Sequence, residues 1–315
     1  MRKTILTIII VSVAALYSCK KDKKNDPEVT LNPVAATAVD NYSSLDDFYA
    51  KNKVSKQTYT INTSTGGSFV TPNATTVNIP ANAFNATGNV TIEFKDIYKK
   101  SDMLLSNMTT QMFLGAPLKS AGEFFIKAVN ANNVAVAITP SAGINVMQPF
   151  LQPPDTSMLA FIAGLDTSGG NDMSWYNSPG YTLLTNATNY VFSLYTFNSP
   201  VDSGTWCNSD NASFFGAYPQ TTLTLHANQT GYNPDVFLVF KNINSTVHVY
   251  KGTTDNFPYY YAPVGLECTV VAIGVNNGKL YSSFTPITIG ANQTFNFNLS
   301  ETTTESFKTS LKALD

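Results

Sequence analysis

The sequence predicts an all-β protein built from tandem β-sandwich domains. From residue 57 onward, short segments with an apolar residue at every second position recur, and Gly, Pro and Asn separate them. In residues 89–97, for example, Val90, Ile92 and Phe94 alternate with polar residues. Stretches with helical periodicity are rare. Strands with one apolar and one polar face are typical of sheets that cover a core on one side.

The chain opens with a charged and then an apolar segment. Arg2 and Lys3 precede an apolar run over residues 5–16, and Ser18 and Cys19 follow it. This order is typical of a secretory signal peptide. The apolar run is too short for a membrane-spanning helix, which needs about 20 residues.

The last residues of this segment, Leu16, Tyr17, Ser18 and Cys19, resemble the lipobox of bacterial lipoproteins, with Tyr17 in place of the usual small residue. The resemblance implies that residues 1–18 are removed as a signal peptide and that Cys19 is lipidated. More than one acyl chain is needed for stable anchoring in a membrane. The alternative is an ordinary cleaved signal with Cys19 as a bystander.

Residues 19–56 are predicted to form a lipidated tether with one short helix. Residues 20–26 are highly charged, so they cannot bury apolar surface and are expected to be disordered. They resemble the segment that routes some Gram-negative lipoproteins to the cell surface, which implies an outer-membrane location facing outward. A periplasmic face and a plain solvated spacer are the alternatives. Ser44 is predicted to be the N-cap of the helix.

The rest of the chain divides into blocks at its turn signals. We predict, in order, a first block at residues 57–150, a small companion module at 151–205, a third block at 206–300 and a polar, partly helical tail at 301–315. Residues 133–138 are predicted to be a strand of the first block. Asn277 and Gly278 form the strongest hairpin signal, because a type I′ turn requires positive φ at both positions.

Three features of the first block carry a family resemblance. Gly66 and Gly67 precede a strand, Ile79 and Pro80 begin a turn, and Gly88 opens the next strand. Together they resemble the ZU-five type of β-sandwich, found in ankyrins, netrin receptors and bacterial surface proteins. The resemblance implies a non-enzymatic interaction or structural module. The third block resembles immunoglobulin-like or carboxypeptidase-regulatory-like β-sandwiches.

The charge of the chain excludes one class of partner. The sequence has 19 Lys and Arg against 21 Asp and Glu. Without Arg2 and Lys3 of the signal, 17 basic residues face 21 acidic ones, a formal charge of −4. Arg2 is the only arginine, and the lysines of the body are scattered along the sequence. A nucleic-acid interface needs a basic stripe, so we predict no nucleic-acid partner.

Catalytic and metal-binding constellations are scarce in the sequence. His226 and His248 fall in predicted strands without the clustered ligands that zinc requires, so no metal or cofactor is predicted. Glu93, Glu123 and Glu267 are isolated and expected to face solvent, whereas a glycosidase needs two carboxyl groups across the bond. We therefore predict no catalytic residues.

Two further motifs leave alternatives open. Residues 166–172 are as rich in oxygen ligands as a calcium loop but lack the bidentate Glu, which favours a plain turn. With Cys19 lipidated, Cys207 and Cys268 remain, and they either form a disulfide in an oxidising compartment or stay as buried free thiols.

Aromatic residues are the candidate ligand contacts. Exposed aromatic rings can stack on sugars or anchor a protein partner. The candidates lie in clusters of aromatic residues or in a peptide of unusual composition, and they are Trp175, Tyr176, Trp206 and Tyr260. The alternative is that these aromatic side chains bind no ligand and pack partly in the hydrophobic core and partly at its edge. Residues 206–210 are interpreted as a tryptophan followed by a polar turn at a domain junction.

The sequence favours a non-catalytic binding or structural module of the cell envelope, held by a lipid anchor and contacting a glycan or a protein. The alternatives are a hydrolase built on loops of the sandwiches and an accessory subunit of an outer-membrane uptake complex. An enzyme would require a cleft with two carboxylates, or a histidine and a carboxylate within hydrogen-bond reach. Asp172 and Asp210 are the candidates for such a cleft.

Overall fold

The computed structural model describes residues 40–113, 115–139, 141–165, 173–178, 181–196, 204–253 and 255–315. Within these ranges the protein is all-β, as the sequence predicts, with four sheets and three short α-helices. The predictions for the signal peptide, Cys19 and residues 166–172 lie outside the described residues. No helix in the described ranges is both long and apolar enough to cross a membrane.

The strands as far as residue 211 are β1 (Gln57–Asn62), β2 (Gly67–Val70), β3 (Thr76–Ile79), β4 (Asn89–Ile97), β5 (Lys119–Val129), β6 (Ile144–Pro149), β7 (Leu159–Leu165), β8 (Met173–Asn177), β9 (Thr182–Thr185), β10 (Asn189–Leu194) and β11 (Thr205–Asn211). The later strands are β12 (Gln220–Ala227), β13 (Asp235–Phe240), β14 (Thr246–Val249), β15 (Asn256–Pro263), β16 (Glu267–Asn276), β17 (Lys279–Thr288), β18 (Thr294–Phe297) and β19 (Ser300–Thr302). The helices are α1 (Leu45–Asn52), α2 (Lys100–Leu105) and α3 (Thr304–Lys312).

The first sandwich consists of two sheets that pack face to face. The six-stranded sheet has the order β1-β4-β5-β11-β7-β8, and the five-stranded sheet has the order β2-β3-β6-β10-β9. Their shared core contains Phe94, Phe124 and Phe192, all fully buried, with ring centroids 5.8 Å and 5.3 Å apart in that order. Burying each of these side chains contributes about 1.5–3 kcal/mol.

The strands between residues 151 and 205 belong to these same two sheets. β6 pairs with β10, and β7 pairs with β11, which in turn pairs with β5. The boundary predicted at residues 150 and 151 therefore falls inside a sheet, and no separate sheet forms a companion module in the described chain. The turn signals at this point mark a reversal of the chain rather than the end of a core.

Two local predictions differ from the structure. Residues 206–210 do not form a turn; they lie in β11, an interior strand of the six-stranded sheet. Because this strand is buried on both faces and carries polar side chains, it lacks the alternation that marks a half-exposed strand. Residues 133–138 form only isolated bridges, Val129 with Ala135 and Phe84 with Ile138, rather than a strand.

The glycine pair of the first block has a packing reason in this fold. Gly66 has φ +67°, and a Cβ atom at this position would lie 2.3 Å from the carbonyl oxygen of Ile79. Only glycine fits where the backbone approaches so closely. The glycine pair and the turn at Ile79 and Pro80 are therefore in direct contact.

The second sandwich consists of the sheets β15-β12-β18 and β14-β13-β16-β17-β19 around a second core. β12 and β18 are parallel, whereas the other pairs in these sheets are antiparallel. The predicted hairpin between β16 and β17 is confirmed, with φ of 49° at Asn277 and 78° at Gly278.

Three helices pack on the outer face of this five-stranded sheet. In α1, Ser44 is the N-cap, as predicted, and its hydroxyl accepts a hydrogen bond from the Asp47 amide. Phe48 is fully buried and contacts Phe307 of α3, with centroids 5.7 Å apart. The part of the predicted tether from residue 40 onward therefore belongs to the folded unit, as does the predicted tail.

The connection between β4 and β5 joins the two sandwiches. We call residues 98–113 and 115–118, which include α2, the bridging segment. Its apolar side chains cover part of the outer face of the six-stranded sheet, where Met103 and Leu118 cluster with Phe161. On its other side, the Thr110 amide donates to the carbonyl oxygen of Thr246 (2.8 Å) in the second sandwich.

We predict that Phe48→Ala lowers the free energy of unfolding by about 3–5 kcal/mol, because it leaves a cavity among packed aromatic rings. Urea unfolding measures this difference. Leu184→Ala, at a side chain 59% exposed, is the matched control and should change stability by less than about 0.5 kcal/mol. An equally small effect of Phe48→Ala would mean that α1 is not part of the core.

Candidate functional site

A concave surface of about 590 Å³ lies between the end of α1 and the outer face of the six-stranded sheet. Its volume is within the range of ligand-binding sites. We call it the lysine groove. The side chains that characterise it are Lys51, Lys53, Lys56, Glu93, Lys95, Phe125, Lys127 and Trp206.

The register of three neighbouring strands positions the floor of the groove. Phe125 on β5 lies between Lys95 on β4 and Trp206 on β11, and Lys127 lies opposite Glu93. Directly opposed residues have Cβ atoms about 4.5–5.5 Å apart, so their side chains form continuous rows. The floor therefore combines aromatic and charged side chains on one rigid surface.

The wall of the groove comes from α1 and the residues that follow it. The helix ends at Asn52, and Lys53, its C-cap residue, is already extended with ψ 155°. This extended chain leads into β1 and carries Lys53 and Lys56 along the groove. Because Phe48 anchors α1 in the packed cluster on the second sandwich, the wall has a fixed position.

The lysines of the groove differ in their partners. Lys51 pairs with Asp47 at 2.8 Å, and Lys56 pairs with Glu93 at 2.9 Å. Within the described part of the chain, Lys53 and Lys127 form no ion pair with a carboxylate. Their two ammonium groups are available to an anionic ligand.

Trp206 supplies the aromatic surface of the groove. Its ring lies 5.3 Å from the ring of Phe125, and the Lys95 ammonium lies 5.6 Å from the Trp206 ring centroid. This distance is within the range of cation–π attraction. Phe125 is buried, whereas Trp206 is partly exposed, so Trp206 is the ring that a ligand can reach.

The other predicted contact aromatics lie elsewhere. Trp175 is fully buried, and its indole nitrogen donates to the carbonyl oxygen of Thr109 at 2.5 Å, so it is a core residue. Tyr176 is partly exposed and stacks on Phe113, with centroids 5.4 Å apart. Tyr260 is 66% exposed on the second sandwich. Of the four, only Trp206 lines the lysine groove.

A second cavity, of about 260 Å³, lies at the junction of the two sandwiches. Apart from Lys99, the charged side chains that line it bond to the protein itself. Lys119 binds Asp155 at 2.8 Å, and the buried Lys100 ammonium donates to the carbonyl oxygen of Phe240 at 2.9 Å. This pairing favours a structural role for the junction cavity.

Two carboxyl groups are buried together beside the bridging segment. Glu123 and Asp210 are both fully buried, and within the described chain none of their four oxygens has a hydrogen-bond partner in acceptable geometry. The Ser120 hydroxyl, which lies opposite Asp210 in the sheet, donates instead to Asn208 Oδ1 at 2.7 Å. The expectation that Glu123 faces solvent is wrong, because a second layer of the protein covers that face.

Burial raises the pKa of both carboxyl groups well above the ordinary value, and the charge of Asp210 raises the pKa of Glu123 further. Water stabilises the charged form of a carboxyl group, so its exclusion favours the protonated form. The pair is enclosed, so it offers no surface to a substrate.

The two histidines lie on different strands of the second sandwich, His226 on β12 and His248 on β14. His248 Nε2 lies 3.7 Å from Asp235 Oδ1, beyond hydrogen-bond reach. His226 Nδ1 lies 2.9 Å from Asn256 Oδ1. No group of three or more His, Cys, Asp or Glu with metal-binding geometry occurs among the described residues. Asp172 lies outside them.

The two cysteines of the body are free thiols. Cys207 lies in the core of the first sandwich and Cys268 in the core of the second. Of the two alternatives left open by the sequence, the structure has the buried free thiols. Burial raises the pKa of both, which makes them poor nucleophiles.

The lysine groove could hardly be predicted from the sequence. Its lysines come from three separate stretches of the chain, and no local motif connects them. The alternation of Glu93 and Lys95 along β4 does predict a polar outer face, and this part of the face is open. The gathering of the other lysines depends on the packing of α1.

We predict that the double variant Glu123→Gln/Asp210→Asn is more stable than the wild type at neutral pH. Between the ordinary carboxyl pKa of about 4 and the raised native pKa, the folded chain holds protons that the unfolded chain releases. Wild-type stability therefore falls as pH rises through this window, by about 1.4 kcal/mol per pH unit for each proton held.

Urea unfolding at a series of pH values measures the difference between the variant and the wild type, which should grow from about pH 4 upward. Glu305→Gln, at an exposed position on α3, is the control and should keep the wild-type dependence. Parallel curves for the double variant and the wild type would contradict the assignment of raised pKa values.

We also predict that Cys207 and Cys268 resist alkylation in the folded chain and are both alkylated, without reductant, once the chain is unfolded. Peptide mass spectrometry reads each site separately. A peptide that joins the two residues through a disulfide would refute the free-thiol assignment.

Comparison with protein-family models, with curated proteins and with solved structures finds no significant match to this chain.

Proposed function

We propose that this chain is a lipid-anchored binding protein of the bacterial outer membrane, facing outward, and that it contacts its ligand through the lysine groove. The anchor is the acylated Cys19 at the end of a signal peptide, and the residues up to 39 act as a tether. The apolar run before Cys19 and the small residue at Ser18 support this assignment.

The observation that carries the binding role is the lysine groove. It combines the unpaired ammonium groups of Lys53 and Lys127 with the partly exposed ring of Trp206. Convergent charged groups beside an aromatic surface in a concave site are typical of ligand recognition. The chain as a whole is slightly acidic, so this positive groove is a local feature.

The proposed role is non-catalytic. Among the described residues that line the groove, Glu93 is the one carboxylate, and Lys56 pairs with it. Hydrolysis of a glycosidic bond uses two carboxyl groups on either side of the bond. The pair formed by Glu123 and Asp210 is sealed from solvent, so it cannot take that role.

We further propose that the first sandwich is related to ZU-five domains and the second to immunoglobulin-like or carboxypeptidase-regulatory-like domains. The contact of Gly66 with the turn at Ile79 and Pro80 supports the first relation, because it links two of the three features on which the resemblance rests. Both relations favour an interaction module over an enzyme.

Two measurements test the proposed function. Cys19→Ser should move the protein from the membrane fraction to the soluble fraction, and protease added to intact cells should digest the wild-type protein. Retention of the Cys19→Ser protein in the membrane fraction would contradict the anchor. Protection from protease until the outer membrane is opened would contradict the outward orientation.

The binding role is tested by titrating the purified full chain, in mild detergent, with polysaccharide and outer-membrane protein fractions. The chain has two tryptophans, and Trp175 is buried, so with the polysaccharide fractions a change in fluorescence reports on Trp206. Co-precipitation with the tagged chain measures binding of the protein fractions. We expect Lys53→Gln/Lys127→Gln to weaken the response about tenfold. A response that the double variant leaves unchanged for every fraction would contradict binding in the groove.

A further inference from the structure

We infer that the ligand of the lysine groove is an acidic polysaccharide, a sugar chain that carries carboxylate or sulfate groups. This inference rests on the proposed function and deepens it, because it names the chemistry of the ligand. It depends on three properties of the described residues that line the groove: two lysines without an ion pair, one accessible ring and one carboxylate.

The free charges set the requirement for an anionic ligand. Lys53 stands on the wall and Lys127 on the floor, and neither has a carboxylate partner among the described residues. Lysine ammonium groups are compact point charges with three rotatable donors. Two such groups, one on the wall and one on the floor, suit anionic groups spaced along a flexible ligand better than one compact anion.

The aromatic ring sets the requirement for an apolar face. Trp206 is partly exposed, whereas Phe125 beneath it is buried. The faces of sugar rings carry C–H groups that pack on an aromatic side chain, and tryptophan offers the largest such surface. A free inorganic anion would make no use of this ring.

The carboxylate of Glu93 distinguishes a sugar from other polyanions. A carboxylate accepts hydrogen bonds and cannot donate them, so it needs donors on the ligand. Sugar hydroxyl groups supply donors, whereas a phosphate backbone supplies only negative charge. The salt bridge with Lys56 uses one oxygen of Glu93, at 2.9 Å, and leaves the other oxygen for a hydroxyl group.

The shape of the groove argues against the two competing polyanionic surfaces. Single-stranded nucleic acid stacks successive bases on successive exposed rings, and the described residues of the groove expose one ring. A membrane surface is flat, and lipid headgroups would have to enter a concave site to reach Trp206. The fold brings together lysines that are scattered along the sequence, so the single exposed ring and the concave shape, rather than the spacing of the lysines, disfavour a nucleic acid.

The experiment measures binding of the purified full chain to four defined polymers: polygalacturonate, dextran sulfate, neutral dextran and oligothymidylate. We expect polygalacturonate or dextran sulfate to bind and to change Trp206 fluorescence, with affinity that falls as salt is added. The relative affinities of these two polymers distinguish carboxylate from sulfate. Neutral dextran should bind at least about tenfold more weakly.

Two double variants with the same change in charge serve as the comparison. Lys53→Gln/Lys127→Gln should weaken binding of the acidic polymer about tenfold. Lys241→Gln/Lys279→Gln, which removes two lysines of the second sandwich, should leave it unchanged. Trp206→Phe keeps an aromatic side chain in place and should weaken binding, which is measured for this variant by co-sedimentation with the polymer because the fluorescent reporter is lost. Circular dichroism verifies that the variant is folded.

Several results would overturn the inference. Equal binding of neutral dextran would remove the need for charge, and tighter binding of oligothymidylate would favour a nucleic acid. Equal losses in both double variants would indicate a non-specific charge effect. If neither acidic polysaccharide binds but a protein fraction still gives a response that depends on Lys53 and Lys127, the inference fails while the proposed function stands.

Discussion

The outer face of the six-stranded sheet is divided between a covered part and an open part, and the arrangement of the molecule depends on that division. The bridging segment covers the part that includes Ile97 and Phe161, through a cluster with Met103 and Leu118. The same segment bonds to the second sandwich. The rows of Lys95 and Trp206 remain uncovered and form the floor of the lysine groove.

This division explains why acidic side chains on one sheet face have opposite environments. Glu93 and Glu123 lie on neighbouring strands, and both alternate away from the core of the first sandwich. Glu93 lies in the open part and pairs with Lys56, whereas Glu123 lies in the covered part and has no partner in the described chain. Coverage by a second layer, rather than strand alternation, decides which of these carboxyl groups is excluded from water.

The sequence predicted those elements that are determined by their own residues rather than by distant parts of the chain. β4 has the predicted bounds, Asn277 and Gly278 form the predicted turn, and Ser44 caps the predicted helix. Each of these depends on contacts with near neighbours in the chain or on backbone angles. Strands with one buried face show their period directly in the sequence.

The features that could not be predicted from the sequence depend on contacts between residues that are far apart in the chain. β11 carries polar residues that are buried only because β5 and β7 flank it and a second layer covers it. The lysine groove exists because α1 packs on a sheet more than a hundred residues later in the chain. No pattern within a short window of residues reports either arrangement.

The contact between the two ends of the folded unit has a consequence for how the protein is made. Tyr42 shares a hydrogen bond of 2.6 Å with Thr304, and α1 packs against α3. β11 also has to enter between two strands that were synthesised much earlier. Such long-range pairings make folding slow, because the chain loses the entropy of closing a long loop before the stabilising contact has formed. The cluster that holds α1 on the second sandwich can therefore close only after α3, the last helix of the chain, has been synthesised.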